Sequence, residues 1–370
     1  MRIQLLIAGV ALGFLASSCS KNVKAPPEKT KESTGDSRVV FIVLDGVRTE
    51  EVFLGKYKYN VKKYKRSRKK YRKYKRKLKK RVPKRQVKSR KKLMPFVWKT
   101  LAKKPGSVII GNRFVKKEPR CYIDNKQGIS LPAYADMLSA RRQSNVFTNR
   151  FRGEPRYPTV FDILLNQGVH PHEIALFTSW KHIKAVASQN KYRPFKVYTG
   201  YKKGDKKPPW GAAGYDKDLY KAVVQYLKIN PKVRYMFVAF NDSDEWAHKK
   251  KYKKYLKAIK AQDKFIKNIY KVLQSQKQFA AKTTLIITTD HGRGRGKKWP
   301  YHTTRLKQSK YIWAVINSTE LAAVKKKKRA MVELLEGKCS HTSLGKFALM
   351  SILDRPALAS RDTNLKNHVP

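Results

Sequence analysis

The chain is short of cysteine and of acid. Its 370 residues hold 3 cysteines, too few for a thiolate metal cluster or a disulfide-framed small fold. Asp and Glu together number 25 against 86 Lys and Arg, a formal net charge of +61. No acid occurs between Glu51 and Glu118. Such a surface attracts polyanions such as nucleic acid, anionic lipid or acidic envelope polymer. A lysine-rich bias that only solvates the surface gives the same composition, and no recognised nucleic-acid-binding module is present. Long apolar runs are also missing. The one candidate, Ile3–Leu15, is too short to span a bilayer.

That run has another reading. Arg2 supplies a positive start, and the segment ends in Leu15-Ala16-Ser17-Ser18-Cys19. It reads as a signal peptide over 1–19. Small residues before a Cys resemble a bacterial lipoprotein signal, in which Cys19 carries lipid and anchors the mature chain to a membrane. An ordinary cleaved signal with an incidental Cys is the alternative. Either implies export, and the lipoprotein reading implies a lipid-anchored place in the bacterial cell envelope. Residues 20–36 are polar, hold Pro26-Pro27 and read as a flexible tether. The remainder is long enough for one large α/β domain, assigned to 37–358, with 359–370 as a tail. Within it Cys121 and Cys339 either pair or stay as two buried thiols.

Three apolar, β-branched runs read as strands buried on both faces, and each ends in acids. Val39–Leu44 runs into Asp45-Gly46-Val47-Arg48. Val233–Phe240 runs into Asn241-Asp242-Ser243-Asp244-Glu245-Trp246-Ala247-His248. Thr284–Thr288 runs into Asp290-His291-Gly292-Arg293-Gly294. In open α/β sheets, ligands bind at the carboxyl ends of strands. Asp244 and His248 sit one helical turn apart and can face one ion. Asp290-His291 suits a metal such as zinc, and equally a cap and a turn. Ser130 precedes Pro132 at an expected helix start, as a plain N-cap or as a nucleophile favoured by the helix N-terminus. His302 lies in the loop beyond Trp299-Pro300. Further helices are expected over Leu93–Lys103, Pro158–Asn166, Tyr215–Leu227, Tyr252–Gln274, Arg329–Leu335 and Leu344–Leu353. Other strands are expected over Ser107–Ile110, Ile174–Phe177 and Tyr311–Ile316.

Lys56–Lys92 is the most biased segment, Lys and Arg interleaved with tyrosines. It reads as a basic insertion, partly helical at most, and as a candidate contact for polyanions.

In order, Asp45, Ser130-x-Pro-x-Tyr134, Asp244-x-x-x-His248, Asp290-His291-Gly292 and His302 resemble the alkaline phosphatase superfamily, its exported phosphatase and phosphodiesterase branch in particular. The resemblance implies a three-layer sandwich, a central mostly parallel sheet with helices on both faces. It implies two divalent metal ions, zinc or else manganese. One ion would use Asp45, Asp290, His291 and the oxygen of Ser130; the other would use Asp244, His248 and His302. Ser130 would be the nucleophile and Asn149 a phosphate-binding residue. Arg48 and Arg293 are candidates for a phosphate clamp. Ser139-Ala140 departs from the Thr/Ser-Gly that often closes the nucleophile helix. Tyr134 departs from the Arg that sulfatases need there. The implied activity is hydrolysis of phosphate esters. The competing class is a non-catalytic, polycationic lipoprotein that binds acidic polymers or nucleic acid.

Overall fold

The structure is a computed structural model. It describes residues 37–56, 76, 82, 84–200, 214–277, 282–322 and 325–353. The expected signal peptide with Cys19, the tether, the tail and most of the basic insertion lie outside the described residues.

The strands are β1 Arg38–Leu44, β2 Ser107–Ile110, β3 Cys121–Tyr122, β4 Ile174–Thr178, β5 Lys196–Tyr198, β6 Tyr235–Phe240, β7 Thr283–Thr288, β8 Tyr311–Ile312, β9 Ala314–Asn317 and β10 Cys339–Ser340. The main helices are α1 Thr49–Leu54, α2 Lys84–Leu93, α3 Ser130–Leu138, α4 Val160–Asn166, α5 Asp216–Ile229, α6 Asp242–His248, α7 Tyr252–Ser275, α8 Lys327–Leu334 and α9 His341–Ile352.

Seven strands form the central sheet in the order β2-β9-β7-β1-β6-β4-β5. β9 alone runs antiparallel to its neighbours β2 and β7. The strands of the β7-β1-β6-β4 run are buried along their whole length, as a sheet covered on both faces demands. Alternate residues of β1 enter two separate cores. Val39, Phe41 and Val43 pack with residues of α3, α4 and α9. Val40, Ile42 and Leu44 pack with residues of α1, α5 and α7. Helices therefore cover both faces, and the expected three-layer α/β sandwich is what forms.

A second, three-stranded sheet has the order β10-β3-β8. β10 pairs with β3 in parallel, and Cys121 and Cys339 are joined there as a disulfide with Cα atoms 4.6 Å apart. The two thiols thus pair rather than stay free.

Three local readings change. The run 93–103 is not one α-helix: α2 ends at Leu93, and Phe96–Thr100 winds as a wider π turn followed by a 3₁₀ turn. Asp263 of α7 accepts the Phe96 and Val97 amides at 2.8 and 3.0 Å, which satisfies a start that has no cap of its own. The strand expected over 311–316 is divided at Trp313, so that β8 joins the small sheet and β9 the large one. The basic insertion is narrower than its composition suggests. Lys84–Lys92 belongs to α2, and Ser89 Oγ accepts the Lys56 amide at 2.9 Å, which brings the chain on either side of 57–83 together. No helix among the described residues is long and apolar enough to cross a membrane.

Candidate active site

β7, β1 and β6 are parallel neighbours, so their carboxyl ends emerge side by side. That register alone gathers Asp45, Asp290-His291 and the start of α6. Asp45 and Asp290 leave the sheet as loops. Asp244 and His248 fall on one face of α6, with His248 Nε2 at 2.9 Å from Asp244 Oδ2. His302 arrives from the loop after β7, held by Nδ1 against Gly128 O at 3.0 Å. The result is two clusters, Asp45 with Asp290 and His291, and Asp244 with His248 and His302, each with donor atoms within 4.8 Å of one another. These are the two sets the resemblance implied. Among the described residues no third such cluster occurs.

The first cluster is closed. Asp45, Asp290 and His291 are buried. Asp45 Oδ2 accepts the Tyr134 hydroxyl at 3.0 Å, and Asp290 Oδ1 accepts the Gly46 and His291 amides at 2.9 and 2.8 Å. The other oxygens, Asp45 Oδ1 and Asp290 Oδ2, are buried with no hydrogen-bond partner. Both face His291 Nε2, at 3.8 and 3.2 Å. His291 Nδ1 donates to Gly292 O at 3.0 Å, which leaves the Nε2 lone pair toward the carboxylates. Burial, and then Asp290, push the Asp45 carboxyl well above its ordinary range. Burial also lowers His291. Two orphaned carboxylate oxygens and an imidazole nitrogen with its lone pair toward them, all converging, fit a divalent cation.

The second cluster is open. The His248 side chain is 46% exposed, against 0% for His291. His302 Nε2 lies 3.2 Å from His248 Nε2. Because Nδ1 of His302 is spent on Gly128 O, its Nε2 also presents a lone pair. Burial, with His291 and Arg293 next in effect, holds His302 well below its usual range, and burial lowers His248 too. Neutral imidazoles are the ligating form.

Ser130 is the first residue of α3, with extended Ile129 in the cap position, so the N-cap reading of the serine does not hold. Its Oγ sits 3.3 Å from His291 Nε2, at the first cluster. Asn149 Oδ1 accepts the Leu131 amide at 2.9 Å, one residue from Ser130. α3 closes on Ala140 at φ 51°, the left-handed position where Gly is usual.

The two arginines divide. Arg48 donates by Nε to Glu51 Oε2 at 2.8 Å and by Nη1 to Gly294 O at 3.1 Å, and its Nη2 also meets Glu51. It is committed to a buried network and cannot clamp a phosphate. Beside it Glu50 bonds Arg113 Nη2 at 2.6 Å and Arg295 Nε at 3.0 Å. Burial alone would raise the Glu50 carboxyl; Arg113, Arg48 and Arg295 overcome it and hold it at about 2. Arg293 is fully buried, with Nη2 against Asp244 Oδ1. A Cβ on Gly46 would meet Asp244 Oδ1 at 2.5 Å and Arg293 Nε at 2.7 Å. Nothing in the sequence pattern showed that Arg293 holds Asp244. The network of Glu50 and Glu51 was also missed, since a charged turn after a strand end ordinarily faces solvent.

A family profile described as the metalloenzyme superfamily matches residues 12–306. The chain belongs to the metalloenzyme superfamily, the alkaline-phosphatase-like group. Solved structures agree at the level of fold. The chain is similar to the C-terminal periplasmic domain of a phosphoethanolamine transferase from Campylobacter jejuni, with 13% identity and a TM-score of 0.50 over 86% of this chain and 89% of that one. It is similar to a 2-O GAG sulfatase, with 14% identity and a TM-score of 0.53 over 86% and 70%. The soluble domain of a lipooligosaccharide phosphoethanolamine transferase from Neisseria meningitidis gives 12%, 0.50, 86% and 89%. No curated protein matches the chain in sequence.

Proposed function

We propose that this metalloenzyme is an exported hydrolase of phosphate esters, a phosphatase or phosphodiesterase, with Ser130 as nucleophile. The observation that carries the reading is Ser130 Oγ placed 3.3 Å from His291 Nε2, beside two orphaned carboxylate oxygens. Asp45, Asp290, His291 and the Ser130 oxygen would hold one divalent ion, and Asp244, His248 and His302 the other. Mixed carboxylate and imidazole donors suit zinc, with manganese as the second candidate. Ions held there would supply positive charge to a phosphoryl group in transfer.

The chain's own groups do the rest. The Ser130 oxygen, its proton lost to solvent, attacks phosphorus as the bond to the ester oxygen breaks and that oxygen takes up a proton; water then attacks the phosphoserine, releasing phosphate from a monoester or a phosphate monoester from a diester and restoring the serine hydroxyl. The N-terminal peptide dipoles of α3 favour a negative oxygen at Ser130. Leu131 N fixes Asn149 Oδ1, so the donor end of that amide is left for a phosphoryl oxygen. Arg293 keeps Asp244 turned so that Oδ2 faces His248. Formylglycine chemistry is disfavoured, because position 134 carries Tyr, and that Tyr is spent on Asp45. The disulfide supports an oxidising, exported location. Lipid on Cys19 would then hold the protein on the envelope.

The test is turnover by zinc-loaded protein of p-nitrophenyl phosphate and bis(p-nitrophenyl) phosphate, beside Ser130→Ala. The variant should lose about three orders of magnitude or more in kcat while keeping its metal content. Equal turnover by the variant excludes the mechanism. Absence of turnover and of bound metal in the wild type would favour the non-catalytic polycationic reading.

A further inference from the structure

The exposed side of the site is the His248–His302 side, and that is where the chain sets three consecutive lysines. Lys249, Lys250 and Lys251 follow the ligand helix α6 directly and are exposed. The turn they form is closed by Lys250 N to Ala247 O at 2.8 Å and Lys251 N to Trp246 O at 2.9 Å. Lys250 takes a left-handed backbone, φ 56°, where Gly or Asn would be cheaper. Its ammonium stands 5.8 Å from the centroid of the Tyr301 ring, which is 48% exposed and directly precedes His302. Lys126 and Arg305 come from two exposed loops that meet at Thr304 N and Gln127 O, beside Gly128, which anchors His302. Arg150 and Arg152 follow Asn149 in its loop and are exposed.

We propose that these residues form an anion-collecting rim, and that the substrate is a phosphate ester carrying further negative groups beyond the ester that is cleaved. The proposal rests on the phosphate-ester reading of the site. One charged group would be enough to bind a simple monoester, and the two clusters already supply that. The three lysines directly follow His248, the exposed imidazole of the second cluster. A second phosphate or carboxylate on the leaving side therefore meets Lys249–Lys251 as it enters, with the Tyr301 face beneath it. A lysine held in left-handed backbone at this point, 5.8 Å from an aromatic ring, is consistent with a binding role.

Composition supplies the obvious objection, since lysines cover the whole chain. A matched control removes it. Lys264, Lys267 and Lys271 are exposed on α7, twelve to nineteen residues beyond Tyr252, which at 1.5 Å per residue is about 18–28 Å along the helix. That exceeds the Debye length of about 8 Å at physiological salt. Two triple variants with equal charge change are therefore compared, Lys249→Ala/Lys250→Ala/Lys251→Ala and Lys264→Ala/Lys267→Ala/Lys271→Ala. Binding of fluorescein-labelled short-chain inorganic polyphosphate is read by anisotropy across a salt series, on zinc-loaded protein in the Ser130→Ala background. The rim triple should bind about tenfold more weakly, with a log–log salt slope lower by about two. The remote triple should match its parent. Equal losses in both triples, or none in either, overturn the rim. Lys250→Asn separates structure from function: it should raise the melting temperature by relieving the backbone and still weaken polyphosphate binding, and unchanged binding there also counts against the proposal. Because anisotropy needs no turnover, failure of the hydrolase reading would show separately, in the p-nitrophenyl assays.

Discussion

Gly46 offers the sharpest test of how the two clusters are built. It sits between Asp45 and Val47 at φ +64°, where a side chain is strained by about 1–2 kcal/mol whatever its surroundings. Gly296 has φ +57° with nothing within 4 Å of a built Cβ. Gly296→Ala therefore carries the backbone cost alone and should lower the melting temperature by a few degrees. Gly46→Ala carries the same cost plus a collision with Asp244 Oδ1 at 2.5 Å and Arg293 Nε at 2.7 Å. The strand end cannot retreat, because the Gly46 amide is bound to Asp290 and the Val47 amide to Thr289 Oγ1 at 3.1 Å. The Asp244 carboxylate has to swing, and it leaves His248 and His302 without their acid. Zinc titration against a competing chelator should show one site near wild-type affinity and the other weakened by at least about 10–100-fold. If Gly46→Ala binds both ions as tightly as Gly296→Ala does, Asp244 and Arg293 are not locked together as described.

Other outcomes follow from the same geometry. Asp290→Asn should empty the first site and His302→Ala should weaken the second, read as zinc per chain by mass spectrometry under native conditions; two full ions in either variant would exclude the assignment. Glu50, held at about 2 instead of 4.5, contributes stability that is present above pH 4.5 and is lost as pH falls from there toward 2. That shift corresponds to about 3 kcal/mol, so urea unfolding of Glu50→Gln should show a loss of this order at neutral pH and a flatter acid limb; an unchanged acid limb would refute it. Cys19→Ser should release the protein from membranes or block its processing, and membrane fractionation at high salt, which strips basic contacts, distinguishes lipid from charge.

Much of this was legible because the chemistry lies at strand ends. A run such as Leu285–Ile287 declares a buried strand by its apolar β-branched residues, and a parallel sheet brings the carboxyl ends of neighbours together without further information. Asp45, Asp244 and Asp290 could therefore be grouped before any coordinates. The pairing order that makes β7, β1 and β6 adjacent is not in the local pattern; the resemblance supplied it. What stayed hidden depends on long-range packing. Two-residue strands such as β3 and β10 have no periodicity to read. The network of Glu50 and Glu51 had no local signature, because apart from Arg48 their partners Arg113, Arg295 and Tyr255 are remote in sequence. Lys84–Lys92 looked like part of a repelling basic tract, yet Arg90 stacks 3.6 Å from the Trp98 ring and the helix packs beside α1. Ser130 could be placed at a helix start but not on the helical side of it, since that choice turns on the φ and ψ of one residue.

The Cys121–Cys339 bond has a bearing on the order in which the molecule matures. It closes a loop of 218 residues that carries Ser130, Asp244, His248, Asp290, His291 and His302, leaving Asp45 alone outside. In the chain-entropy account such a closure is worth about 5 kcal/mol against the unfolded ensemble. Cys339 also stands two residues before His341, whose Nε2 meets Thr289 O at 3.0 Å, and Thr342 N is held by Asp124 at 2.9 Å. Through His341 the cross-linked segment is thus tied to Thr289, the residue before Asp290. Thiol oxidation should come first and zinc uptake second. Apo-protein reduced before zinc is added should load slowly or incompletely, whereas protein reduced after loading should keep its ions, so that the history of the chain, and not only its final composition, decides whether it is active.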